Sequence, residues 1–241
     1  MERIMFFDHS MVEIGLNTRM ATQGEETQLV EEFIEYYSRI FLQKNKINNL
    51  AIFVEPKVSS GFPDIVFASY APNILDNWSK QRERLEIYDL KLLSHLILTK
   101  GCTGNQLIVD LKMTEKSTIQ SLERLLDANM IKRSHGKWEP IELKKIYNIK
   151  KLVSVEAKIS NMKKVAEQSL VNTWFASQSY ALTNTAYPQE STIYNFQKQG
   201  TGLYCKRKGF KKIVEAQKFS LPSSYLSLQF NEWIGKSLAR Q

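Results

Sequence analysis

The chain has little that would tie it to an oxidising compartment or to a membrane. Only two of its 241 residues are cysteine, Cys102 and Cys205. They lie far apart and lack CxxC spacing, so neither a disulfide framework nor a zinc site is expected, and a reducing, cytoplasmic setting is. No apolar run approaches the ~20 residues that cross a bilayer, and no membrane partner is expected. The N-terminal stretch MERIMFFDHSMVEIG places acids among its apolar residues and offers no signal-peptide core. Low-complexity tracts are absent too. With 43% apolar residues the chain is long enough to bury a core as one large domain or two small ones.

Charge is present in quantity and unevenly spread. The formal net charge is +8, yet residues 1–84 hold 9 Lys/Arg against 12 Asp/Glu, residues 85–141 hold 8 against 7, and residues 142–218 hold 14 against 5. A basic stretch beside carboxylates suits a polyphosphate partner, because lysines neutralise phosphates while carboxylates hold a divalent ion. The run KRKGFKK at 206–212 also reads simply as a solvated hairpin.

Two short stretches concentrate the chemistry. In KLVSVEAKIS (151–160), strand alternation puts Val153, Val155 and Ala157 on one face and Ser154, Glu156 and Lys158 on the other. Carboxylate and amine then stand about 7 Å apart along the strand. In SSGFPDIVFA (59–68), Pro63 ends a turn and Asp64 opens a second strand. Ionisable groups in apolar strands require partners, since unpaired burial is costly.

FPDIV followed at a distance by VEAK resembles the PD-(D/E)XK nuclease superfamily, over roughly residues 23–75 and 150–218. The resemblance implies an α/β (α+β) fold of restriction-endonuclease type, a mixed sheet flanked by helices, and a Mg²⁺-dependent endonuclease in which Mn²⁺ can substitute. Asp64 and Glu156, with the carbonyl of Ala157, are then metal ligands, and Lys158 positions water or stabilises developing charge. It also implies two supporting side chains. Glu26, in the amphipathic segment TQGEETQLVEEFIEYYSRIF, lies on one helical face with Val30, Phe33 and Tyr37. Gln168 lies in a helix about three turns beyond Lys158, where Val165, Leu170, Trp174 and Phe175 set the apolar pattern. For Glu26 the alternative is a first-turn acid favouring the helix dipole, and for Gln168 an ordinary surface amide. Glu55, closing the strand before the Pro56–Gly61 turn, is either a further metal-site carboxylate or a solvated strand end.

Residues 81–142 carry a different pattern. LEIYDLKLLSHLIL, TGNQLIVDL and STIQSLERLLDANM read as three helices, and IKRSHGKWEPI as two short strands around a His-Gly turn. This resembles the winged helix-turn-helix fold, with Leu107, Leu111, Ile119, Leu122, Leu125, Leu126 and Ile131 as its core. It divides the nuclease core into 1–80 and 143–241, and the closing segments are a hairpin around Lys208-Gly209 and a helix with Trp233 and Ile234 inward. In such folds the third helix enters the major groove. Its exposed face would offer Lys116, Ser117, Gln120, Ser121 and Arg124, and the wing Lys132, Arg133, Ser134, His135 and Lys137, toward duplex DNA. Double-strand cleavage by a single-site enzyme points to a homodimer or a partner complex. The competing expectation is a DNA-binding regulator or assembly subunit of a mobile-element or defence complex, with the nuclease-like core as scaffold or the winged helix as a docking module.

Overall fold

The computed structural model describes residues 3–8, 11–20 and 23–241, and the chain forms two compact units. The first comprises Met1–Pro72 and Ile149–Ser223, the second Asn73–Asn148 and Ser224–Gln241.

Unit 1 is a seven-stranded mixed sheet with helices on its faces. Its strands are β1 (Ile4–Phe7), β2 (Asn49–Val54), β3 (Ile65–Tyr70), β6 (Ile149–Ala157), β7 (Gln178–Thr183), β8 (Gly202–Lys206) and β9 (Phe210–Val214), in the order β1-β2-β3-β6-β7-β8-β9. β2, β3 and β6 run antiparallel in succession, while β6, β7 and β8 are parallel. Parallel neighbours need crossovers. Here α6 (Met162–Asn172) and α7 (Glu190–Gln199) supply them.

Alternation along β6 sorts the two layers. Val153, Val155 and Ala157 pack with Leu29, Phe33 and Ile34 of α1 (Glu25–Lys44). Each buried Val, Leu, Ile or Phe among them contributes roughly 1.5–3 kcal/mol of transfer free energy. On the opposite face Val165 and Ala166 of α6 meet Ala181, Leu203 and Phe196. The α6 pattern is narrower than its sequence suggests: Phe175 is buried, but Leu170 and Trp174 are exposed.

Unit 2 holds α2 (Ile87–Thr99), α3 (Gly104–Leu111), α4 (Glu115–Asp127), the antiparallel pair β4 (Ile131–Ser134) and β5 (Lys137–Pro140), the short α5 (Leu143–Ile146) and α8 (Tyr225–Ala239). Helix starts follow capping chemistry. Thr103 and Gln106 form a reciprocal box at α3, and the Thr114 hydroxyl accepts from the Ser117 N–H at 3.2 Å. Residues 143–241 were expected to form one part of the core around β6. Instead α8 packs on α2 and belongs with unit 2, because its Leu226, Phe230, Trp233 and Ile234 are buried there. Gly235 permits the approach of Trp78, since a Cβ at this position would lie 1.9 Å from the indole ring.

Charge is also buried in unit 2. Arg82, 1% exposed, donates from Nε to Glu232 at 3.0 Å and from Nη2 to the Ile146 carbonyl at 2.9 Å, and its guanidinium lies 4.1 Å from the Trp78 ring centroid. Among the described residues no helix is long and apolar enough to cross a membrane.

Candidate functional site

In unit 1 the ends of β2, β3 and β6 bring the acidic residues together. Ile65 pairs with Val155, so Asp64 and Glu156 stand beside each other where the ladder closes. Asp64 is oriented by the Ala157 N–H, which donates to its Oδ2 at 2.7 Å. Glu55 is joined to the same corner through its N–H, which donates to the Asp64 carbonyl at 3.0 Å. Its backbone is left-handed, with φ of 46°, an unfavourable conformation for a non-glycine residue.

Glu156 and Lys158 do not share a strand face. β6 ends at Ala157, and although the Lys158 N–H still donates to the Leu182 carbonyl at 2.9 Å, the Lys158 side chain leaves the strand's alternation. Glu156 accepts from the Asn172 amide of α6 at 2.6 Å, whereas the Lys158 ammonium donates to Glu26 of α1 at 2.6 Å. Glu26 is therefore at the site through Lys158. Gln168 lines a cavity of about 200 Å³ together with Glu156, Pro63 and Asn172. Asn172 and Arg19 are the residues that motif spacing missed. Arg19 ion-pairs with Glu55 and lies 5.5 Å from the Phe62 ring centroid, next to a cleft of about 610 Å³ shared with Asp64 and Lys158. A lone arginine in an irregular segment gives no periodic signal by which to find it.

The electrostatics are unbalanced. Glu156 is 3% exposed, and among the described residues its Oε2 has no hydrogen-bond partner. Burial, followed by the charge of Asp64, pushes the Glu156 carboxyl up to about 8, against the lowering effect of Asn172. Burial also raises Asp64, with Glu55 and Glu26 adding to it, against the Ala157 N–H and Lys158. Burial tends to lower Lys158, but the hydrogen bond to Glu26 and the nearby carboxylates outweigh it, and its net shift is upward. Lys158 is thus a fixed cation at neutral pH, suited to charge stabilisation and unsuited to proton abstraction.

This arrangement fits a divalent cation in one respect above all. Two crowded carboxylates, one with an orphaned buried oxygen, are stabilised by a positive charge placed between them. Among the described residues no three His, Cys, Asp or Glu side chains converge as a ready metal cage. Mg²⁺ is commonly held by only one or two carboxylates and keeps several waters, so Asp64 and Glu156 are sufficient in number. Glu55 is engaged by Arg19.

A pH dependence follows. Because Glu156 is raised from its ordinary 4.5 to about 8, the unfolded chain ionises first as pH rises. Metal-free protein should lose stability between about pH 4.5 and 8 and level off above that range. Urea midpoints measured across this range are expected to fall for wild type, and to fall less for Glu156→Gln or in saturating Mg²⁺.

The basic candidates in unit 2 divide into two groups. Lys116 and Gln120 are exposed on α4, and Lys132, Arg133, His135 and Lys137 are exposed on the β4–β5 hairpin, with Lys132 3.5 Å from Glu139. Ser117 and Ser134 are half-buried. Ser121 and Arg124 do not belong to an exposed reading face. Ser121 is fully buried, and Arg124 makes two 2.8 Å hydrogen bonds to Asp89, itself fully buried in α2. Conversely Ile119 and Leu126, expected in the core, are 48% and 44% exposed, and Leu111 is half-buried. Arg124→Ala should lower the stability of this unit by about 1.5–3 kcal/mol, the value of hydrogen bonds to a charged group. The check is chemical denaturation, with nucleic-acid affinity measured under native conditions and expected to change little.

Comparison with known proteins returned no match: no protein-family model, curated protein or solved structure is significantly similar to the chain.

Proposed function

We propose that the protein is a Mg²⁺-dependent endonuclease of PD-(D/E)XK type, with a restriction-endonuclease-like core in unit 1 and a winged-helix module in unit 2. The observation that carries this reading is the buried Glu156 carboxylate, with one oxygen unpartnered, beside Asp64 and within the field of Lys158. The helix–strand–strand–strand–helix–strand run formed by α1, β2, β3, β6, α6 and β7 supports it as well. Cutting a phosphodiester requires an activated water and neutralisation of charge on the phosphoryl oxygens. Asp64 and Glu156 would hold Mg²⁺, assisted by the Ala157 carbonyl that the family resemblance implies. Bound there, Mg²⁺ supplies Lewis-acid polarisation and lowers the pKa of a water. Ala157 fixes Asp64, Asn172 fixes Glu156, Glu26 holds Lys158 near the reacting phosphate, and Lys158 stabilises the developing charge. Gln168 closes the Glu156 side. In unit 2, Lys116, Gln120 and the hairpin residues Lys132, Arg133, His135 and Lys137 would contact duplex DNA.

The test is incubation of purified protein with supercoiled plasmid in Mg²⁺ or Mn²⁺. Nicking or linearisation that disappears in EDTA is the expected result. Intact plasmid in the presence of tight binding would overturn the nuclease reading. One observation favours a second role for unit 2. Ile119, Leu126 and Glu123 are exposed on α4, a surface better suited to protein docking than to a phosphate backbone. In that reading the protein is an assembly subunit whose nuclease-like core serves as scaffold, and charge reversal at Lys116 and Lys132 would leave the salt dependence of DNA binding unchanged.

A further inference from the structure

We propose that the cleft next to Asp64 and Lys158 receives one unpaired nucleobase, so that the substrate is nucleic acid with a single-stranded or splayed nucleotide at the bond to be cut. This deepens the nuclease reading and rests on it. The cleft, about 610 Å³, has two chemically different ends. One holds Arg19, Glu26, Glu55, Asp64 and Lys158; the other is walled by Phe6, Val30, Ile34 and Val54. A regular duplex offers a cleavage site its backbone and base edges but no free base face, and would leave the apolar wall without a stacking partner.

Phe6 is the telling residue. It lies on the edge strand β1 and is 51% exposed, while its neighbour Phe7 is fully buried and stacked on Phe53 with centroids 4.3 Å apart. An exposed ring facing a catalytic cleft has the chemistry of a stacking platform for a base. A phosphate is not the occupant of this end. Glu31 and Glu35 also line it, both exposed and one helical turn apart on α1, and would repel an anion. They would accept hydrogen bonds from the exocyclic amines of adenine, cytosine or guanine, whereas thymine offers only its ring N3–H. The cleft therefore combines stacking with a mild preference against thymine, and the charged end lies beside it for the adjoining phosphate.

The experiment uses the full chain and short single-stranded DNA carrying 2-aminopurine at successive positions, titrated in Ca²⁺ and followed by fluorescence quenching. The same strand in perfect duplex and oligonucleotides with adenine or thymine at the responsive position complete the set. Quenching at one position is expected, with affinity at least about tenfold weaker for Phe6→Ala and retained in Phe6→Tyr. The Glu31→Gln/Glu35→Gln double variant, altered only at exposed positions, should lose the discrimination against thymine. Equal affinity of Phe6→Ala and wild type for the single strand, or no position at which 2-aminopurine responds, would overturn the proposal. Cleavage of the same substrates in Mg²⁺ separates the two readings. Phe6-dependent binding without cleavage leaves the base pocket standing and removes the nuclease. Cleavage of perfect duplex that ignores Phe6→Ala does the reverse.

Discussion

Lys158→Ala and Asp64→Ala are each expected to reduce plasmid cleavage by at least about a hundred- to a thousandfold, the range seen when one electrostatic stabiliser is removed, while DNA binding survives. Lys158 is a cation held by Glu26 and reinforced by Asp64 and Glu156, so its loss leaves the developing phosphoryl charge facing an acidic corner. Loss of Asp64 removes half of the carboxylate pair and frees the Ala157 N–H. Binding should persist because the exposed cations of unit 2 are untouched. Gel-shift titrations in Ca²⁺ beside plasmid cleavage in Mg²⁺ separate the effects, and loss of binding in both variants would mean that these residues serve the fold.

The largest stability effect is expected at Arg82. Arg82→Ala removes the countercharge of Glu232, 3% exposed, and leaves the Asn231 amide, 3.2 Å from each, as donor to both its carboxylate and the Ile146 carbonyl. Breaking a buried pair from one side costs about 3–5 kcal/mol, a large share of the stability of an ordinary domain. The Trp78 ring, 4.1 Å from the guanidinium, gives a fluorescence signal for the transition. The combined replacement Arg82→Met/Glu232→Leu should recover much of the loss, because two apolar side chains require no partner. If Arg82→Ala unfolds at the wild-type urea concentration, the pair contributes nothing to stability.

Much of unit 1 could be read from local pattern. The period-2 alternation put Val153, Val155 and Ala157 on one face of β6, the face that α1 covers, and the amphipathic segment with Val30, Phe33 and Tyr37 is α1, although its fully buried residues are Leu29, Phe33 and Ile34. Alternation put Lys158 on the face of Glu156, but at the strand end its side chain turns instead to Glu26 of α1, a partner that strand periodicity does not reveal. The third helix of unit 2 shows a different limit. Its sequence supports two stripes that share Leu122 and Leu125 and differ by a small rotation. The buried one runs through Thr118, Ser121, Leu122 and Leu125, and leaves Ile119 and Leu126 outside. Small polar residues fit this stripe because α4 approaches α2 closely where Arg124 meets Asp89, and the Thr118 hydroxyl donates to the Thr114 carbonyl at 2.9 Å. α7 was illegible: its run ESTIYNFQKQ is mostly polar, and only Phe196 is buried. Arg82 reads as a solvated charge in DNWSKQRER, because the residue that neutralises it is 150 positions away.

That separation bears on how the chain is made. Arg82 leaves the ribosome 150 residues before Glu232, and α2 waits as long for α8 to cover it. Unit 2 therefore cannot finish folding during synthesis until the whole of Ile149–Ser223 has been translated, so the segment begun earlier is completed later. Through that interval the apolar side of α2 is exposed and Arg82 has no carboxylate, a nascent state that a holdase chaperone would recognise and from which a stalled or prematurely terminated chain has no route to the finished unit.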